Sequence, residues 1–235
     1  MTQLDELAAE LDRATGDNLV SLVLYGSAAR GNYDPKRSDV NLLLIVRDAG
    51  PEALRPLGGL VGRWTKKAGQ PPPLIFSEAE WLASTDVFAM EIEDMRQAHR
   101  VLRGADPFAG LETSPADLRT ELEREARGKL LQLRSEFAAT EADGRALGDL
   151  LETSAGTFFV LFRALLRLKG TVPARKADEL VAQTATLVGF GQDAFQWPLA
   201  RLAGHSARRL EAHDKAGAQY LSAIARFVTF MDEMD

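Results

Sequence analysis

The stretch Leu24-Tyr25-Gly26-Ser27-Ala28-Ala29-Arg30-Gly31, followed by Ser38-Asp39-Val40-Asn41-Leu42-Leu43-Leu44, decides the fold. Residues 19–25 (Leu-Val-Ser-Leu-Val-Leu-Tyr) are short, apolar and partly β-branched, which predicts a strand buried on both faces. Gly26-Ser27 ends it, and a loop containing Gly31, Asn32, Asp34 and Pro35 follows. Residues 39–46 (Asp-Val-Asn-Leu-Leu-Leu-Ile-Val) read as a second buried strand.

Working outward, Leu4, Leu7, Ala8 and Leu11 follow a helical repeat and predict a helix that stops near Gly16-Asp17. Residues 51–68 read as a poor helix, because Pro56 and Gly58-Gly59 lie inside it. Pro71-Pro72-Pro73 leads into Leu74-Ile75-Phe76, a short strand whose prolines place it at a sheet edge. Ser77-Glu78-Ala79-Glu80 is a capping box opening a further helix. Another helix is expected over 87–97 and an edge strand over 101–104.

From Ser114-Pro115 the strand signals stop. Leu118, Leu122, Ala126, Leu130, Leu133 and Phe137 form one helical stripe, and Leu147 to Leu166 carry a second with a cluster at Phe158, Phe159 and Phe162. Gly170 stands where a helix C′ glycine belongs. Further helices are expected over 176–188, 193–203 and 214–234. The expected organisation is an α/β part with a small mixed sheet over residues 1–110 and a helical bundle over 111–235.

Composition narrows the function. The 235 residues include 28 basic and 34 acidic side chains, a net charge of −6, which disfavours nucleic acid as a partner. Cysteine is absent, so disulfides, thiolate metal sites and a cysteine nucleophile are excluded. Three histidines leave little for a histidine-rich metal centre. No apolar run is long enough to span a bilayer, and the acidic, polar start is unlike a secretion signal, so a cytoplasmic protein without membrane contact is expected.

The strand, Gly-Ser turn and Ser-Asp-x-Asn strand resemble the nucleotidyltransferase superfamily, the DNA polymerase β-like fold. The nearest likeness is to its minimal and kanamycin-type members. The tail Phe162-Arg163-Ala164-Leu165-Leu166-Arg167-Leu168-Lys169-Gly170 resembles their helical half. The resemblance implies a nucleoside triphosphate as ligand, Mg²⁺ as cofactor, and transfer of a nucleoside monophosphate to a small hydroxylated molecule or to a protein. It implies Gly26, Ser27 and Arg30 as nucleotide-binding residues, Asp39 as a metal ligand, and positions 39 and 41 as the catalytic pair. Glycine lets backbone approach the phosphates, and turn amides favour anions. Residues two apart on a strand share a face, so Asp39 and position 41 would reach the same ions.

The sequence departs from that pattern in its acids. Position 41 is asparagine, an oxygen donor without charge. The third carboxylate is expected near Pro73, and residues 70–76 contain no acid. Glu78 and Glu80 are the nearest replacements. The expectation is therefore a family member with impaired or lost catalysis, a pseudoenzyme retaining nucleotide or partner binding. The competing readings are an active transferase with a replacement acid and a pure interaction module. Either a homodimer or a protein partner fits these readings. Arg208 and His213 also match the Arg-x4-6-His spacing of a helical ribonuclease family, which chance explains given the many arginines.

Overall fold

A computed structural model describes residues 3–29, 39–204 and 207–234. The chain divides into two compact units, Met1–Asp117 and Leu118–Asp235.

The first unit opens with helix α1 (Gln3–Thr15), whose Leu7, Ala8 and Leu11 are buried. Strand β1 (Leu19–Tyr25) follows and ends in a 3₁₀ turn at Gly26–Ala28. Strand β2 (Asn41–Val46) begins two residues later than the expected Asp39. The reason is a lack of partners. β1 runs out at Tyr25, which pairs with Asn41, and Gly26 turns away. The amide of Val40 donates instead to the Gln70 side chain, at 2.6 Å.

The poor helix over 51–68 breaks as its composition suggests. Helix α2 (Pro51–Leu54) and helix α3 (Gly58–Ala68) are separated by a 3₁₀ turn, Arg55–Leu57, that contains Pro56. Strand β3 (Leu74–Ser77) leads directly into helix α4 (Glu78–Ala83) through the capping box. The Ser77 hydroxyl accepts from the Glu80 amide at 3.2 Å, and the Glu80 carboxylate accepts from the Ser77 amide at 2.8 Å. Helix α5 (Ala89–Gln97) and strand β4 (His99–Gly104) complete the sheet.

The sheet has the order β3-β2-β1-β4. β1 is antiparallel to β2 and to β4, while β2 and β3 are parallel, so the sheet is mixed. β3 is an edge strand, as its leading prolines require, and β4 is the other edge. Alternation sends the two central strands into two cores. Leu22, Leu24, Leu42, Leu44 and Val46 pack with Leu7, Leu11, Leu57 and Trp64 on one face. Val23, Leu43 and Ile45 pack with Trp81, Ile92, Met95, Phe108 and Leu111 on the other. The loop after β4 therefore belongs with the sheet, through Phe108 and Leu111.

The second unit is helical: α6 (Pro115–Thr140), whose first turn precedes the division, then α7 (Gly144–Leu168), α8 (Ala177–Val188), α9 (Gln196–Leu202) and α10 (Lys215–Asp232). Gly170 has φ +71° and closes α7 through its amide to Arg167 O, at 2.8 Å. An aromatic cluster fills the centre. Phe162 lies 4.9 Å from Phe227 and 5.5 Å from Phe195, and Phe195 lies 5.0 Å from Tyr220. Among the described residues, no helix is long and apolar enough to cross a membrane.

Candidate functional site

Gly26 has φ +77°, a left-handed backbone that a side chain would strain. A side chain would also crowd its neighbour. A Cβ at this position would stand 3.3 Å from Asn41 Nδ2. The carboxamide of Asn41 therefore lies against the turn. The Gly26 amide donates to Ala98 O at 3.0 Å, tying the turn to the start of β4. The Ala29 amide closes the turn on Gly26 O at 3.1 Å. The Ala28 amide is taken up by the 3₁₀ turn itself. The first amides of such a turn have no partner within it, so the Ser27 amide and hydroxyl are groups to which an anion can bond.

Of the expected site residues, Gly26, Ser27 and Asn41 come together at this end of the sheet. Asp39 is exposed, just before β2. Arg30 lies outside the described residues. Asn41 shares its face with Leu43 and Ile45, and Tyr25 stands beside it on β1. His99 is the next residue across, on β4, giving a polar row Asn41–Tyr25–His99. The row is partly satisfied. His99 Nδ1 lies 2.9 Å from Arg96 O, and Nε2 lies 3.4 Å from Asp106. Burial, together with the negative charge of Glu91, pushes the Tyr25 hydroxyl above its ordinary range.

Pro73 is not the strand position facing this row. β3 starts at Leu74, and Leu74 pairs with Leu43, so Leu74 is the β3 residue on Asn41's face. It is 42% exposed and carries no charge. Glu78 and Glu80 do not replace the missing acids. Ser77 pairs with Val46, at the far end of β2 from Asn41. Five strand residues, or about 16 Å, separate the two ends. The Glu80 carboxylate is also occupied, held below its usual range by the Ser77 amide and hydroxyl.

Magnesium favours several charged oxygens. Among the described residues no group of three or more histidine, cysteine, aspartate or glutamate side chains could hold a metal ion. Asp39 and Asn41 offer two oxygen donors and one charge. That set fits one loosely held cation and not a pair.

Sequence reasoning passed over Glu91. It lies between the buried Met90 and Ile92 in α5, and its Oε2 is buried with no hydrogen-bond partner. A charge inside an apolar stripe was the available signal. Arg208 and His213, by contrast, have structural work. Arg208 grips the Asp214 carboxylate with both terminal nitrogens, and Asp214 caps α10. His213 lies 3.7 Å from Glu141.

No protein-family model matches the sequence. No curated protein matches it either. Among solved structures, the chain is similar to spectinomycin adenyltransferase AAD(9) from Enterococcus faecialis, determined with ATP and spectinomycin, at a TM-score of 0.59 and 13% identity. The match covers 96% of this chain and 98% of that one. At that identity the likeness is one of fold: a nucleotidyltransferase fold with a small mixed sheet followed by a helical part.

Proposed function

We propose that this protein binds a nucleoside triphosphate at the Gly26 turn and that its nucleotidyl transfer is impaired or lost. The single observation that carries the reading is the pairing of an intact turn with a depleted acid set. Gly26 keeps its left-handed backbone and opens a turn whose Ser27 amide and hydroxyl suit a phosphate, while the neighbouring strand position is Asn41. The neighbour of similar fold was determined with ATP, which supports the triphosphate as the ligand class.

In this reading the Ser27 amide and hydroxyl hold phosphate oxygens, and Asp39 with Asn41 would hold a divalent cation. When bound, such a cation steadies the charge that develops on the transferred phosphoryl group. Asn41 orients without adding charge, and Leu74 leaves β3 without the carboxylate that would bind a cation or take the acceptor's proton. Each lost charged contact in a dry site is worth several kcal/mol, so a loss of a few orders of magnitude in rate is expected.

The test is pyrophosphate release from ATP and GTP with a panel of hydroxylated acceptors and proteins. The proposal expects binding of nucleotide with negligible turnover. Robust turnover would favour the alternative, an active transferase acting on a small hydroxylated or protein acceptor.

A further inference from the structure

Helix α5 lies on the sheet face that carries Asn41, Tyr25 and His99. Its Ile92 and Met95 are buried with Val23, Leu43 and Ile45, and Tyr25 packs against the same cluster. Glu91, in the first turn of α5, directs charge at Tyr25, which is in register with Asn41. Its Oε2 is buried and meets no donor among the described residues. A buried carboxylate oxygen without a donor is costly, and folded proteins keep few of them. Meanwhile the β3 position on this face is Leu74, so the strand brings no acid.

We propose that Glu91 supplies from α5 the carboxylate that β3 lacks, and that with Asp39 and Asn41 it holds a single divalent cation beside the Gly26 turn. The inference rests on the reading of this end of the sheet as the nucleotide site. Two carboxylates and one amide oxygen provide two negative charges and three hard donors, which suits one small dication completed by water. Coordination would give Oε2 the partner it lacks. Two acids match one cation and fall short of two, so the proposal agrees with weak transfer rather than restoring full activity.

The probe is Mn²⁺ alone, with the free ion counted by electron paramagnetic resonance. The wild-type chain is expected to bind one ion, and Glu91→Gln to bind at least about tenfold more weakly. Glu91→Asp should retain more affinity than Glu91→Gln. Equal Mn²⁺ binding by Glu91→Gln and wild type, or none by wild type, overturns the proposal. The melting temperature without metal adds a separate reading. Neutralising a donorless carboxylate should leave it unchanged or raise it, whereas a lower value with unchanged Mn²⁺ binding would make Glu91 structural and overturn the proposal. If the glutamine variant does not fold, nuclear magnetic resonance on the wild type decides. Mn²⁺ should broaden the Tyr25 ring signals first, and unbroadened Tyr25 signals at saturating metal overturn the assignment. ATP titration of the wild type in EDTA reports on the nucleotide reading separately, because the Gly26 turn does not need the cation.

Discussion

The turn end of the sheet and the aromatic centre of the helical unit are built by opposite rules. In the helical unit, the buried hydroxyls of Tyr220 and Thr184 find partners. The Tyr220 hydroxyl lies 3.0 Å from Ser154 Oγ, and Thr184 donates to Leu180 O at 2.9 Å. Asp143 and Asp214 cap α7 and α10. At the sheet end, a glycine is held left-handed beside an asparagine, and a carboxylate oxygen is buried without a donor among the described residues. The first region is optimised for stability. The second holds a left-handed glycine turn and a donorless carboxylate oxygen, the two features on which the proposed ligand site rests.

The comparison breaks if removing packing harms the turn as much as it harms the fold. Phe162 is fully buried against Phe195 and Phe227. Phe162→Ala should cost about 3–5 kcal/mol in urea unfolding, the largest effect expected here. ATP affinity of the folded variant should not change. A cost under about 2 kcal/mol would mean that the aromatic cluster is not the stability centre.

Gly26→Ala tests the other side. The left-handed backbone makes a side chain cost about 1–2 kcal/mol, and its Cβ presses on Asn41. ATP affinity should fall by more than that strain alone accounts for, at least about tenfold, because the Ser27 amide is displaced. A variant that loses stability and keeps its ATP affinity would place the ligand elsewhere.

Much of this contrast is legible in the sequence, and the reasons differ by region. The two central strands announce themselves because they are buried on both faces, and the capping box at Ser77 specifies its own hydrogen bonds. The start of β2 does not, since Asp39 and Val40 look like strand until the partner strand is seen to end at Tyr25. Register misleads in the same way. The resemblance puts the third acid at Pro73, but the pairing of Leu74 with Leu43 assigns that face to Leu74. Glu91 shows in the sequence only as a charge inside an apolar stripe, and its place near Tyr25 follows from the packing of α5 on the sheet, which no local spacing rule gives.

Asp214 sharpens the stability side at lower cost. Its carboxylate is held far below the ordinary range, first by Arg208 and then by the Ala216 amide. A depressed folded value means that its contribution is complete above the unfolded value near 3.8 and is lost as pH falls through the folded one. Asp214→Ala should cost about 1–2 kcal/mol at neutral pH, mostly through the cap, because Arg208 is over half exposed. The difference from wild type should shrink in acid, as followed by thermal melting between neutral pH and strongly acidic buffer.

Asn41→Asp should disturb stability least and separate metal binding from chemistry. It should raise Mn²⁺ affinity while pyrophosphate release stays near background. Asn41→Asp with Leu74→Asp should release more pyrophosphate than the sum of the two single changes, since both groups would act on one site. Additive single effects would show that the two positions do not share it.

The most direct test of the central claim is calorimetric titration of the wild-type chain with ATP, in EDTA and then in excess Mg²⁺. If the Gly26 turn carries nucleotide binding and the acids carry little of it, the two affinities agree within about threefold. Tight binding in Mg²⁺ with none in EDTA would contradict the account, because it would mean that metal ligands, and not the turn, hold the triphosphate.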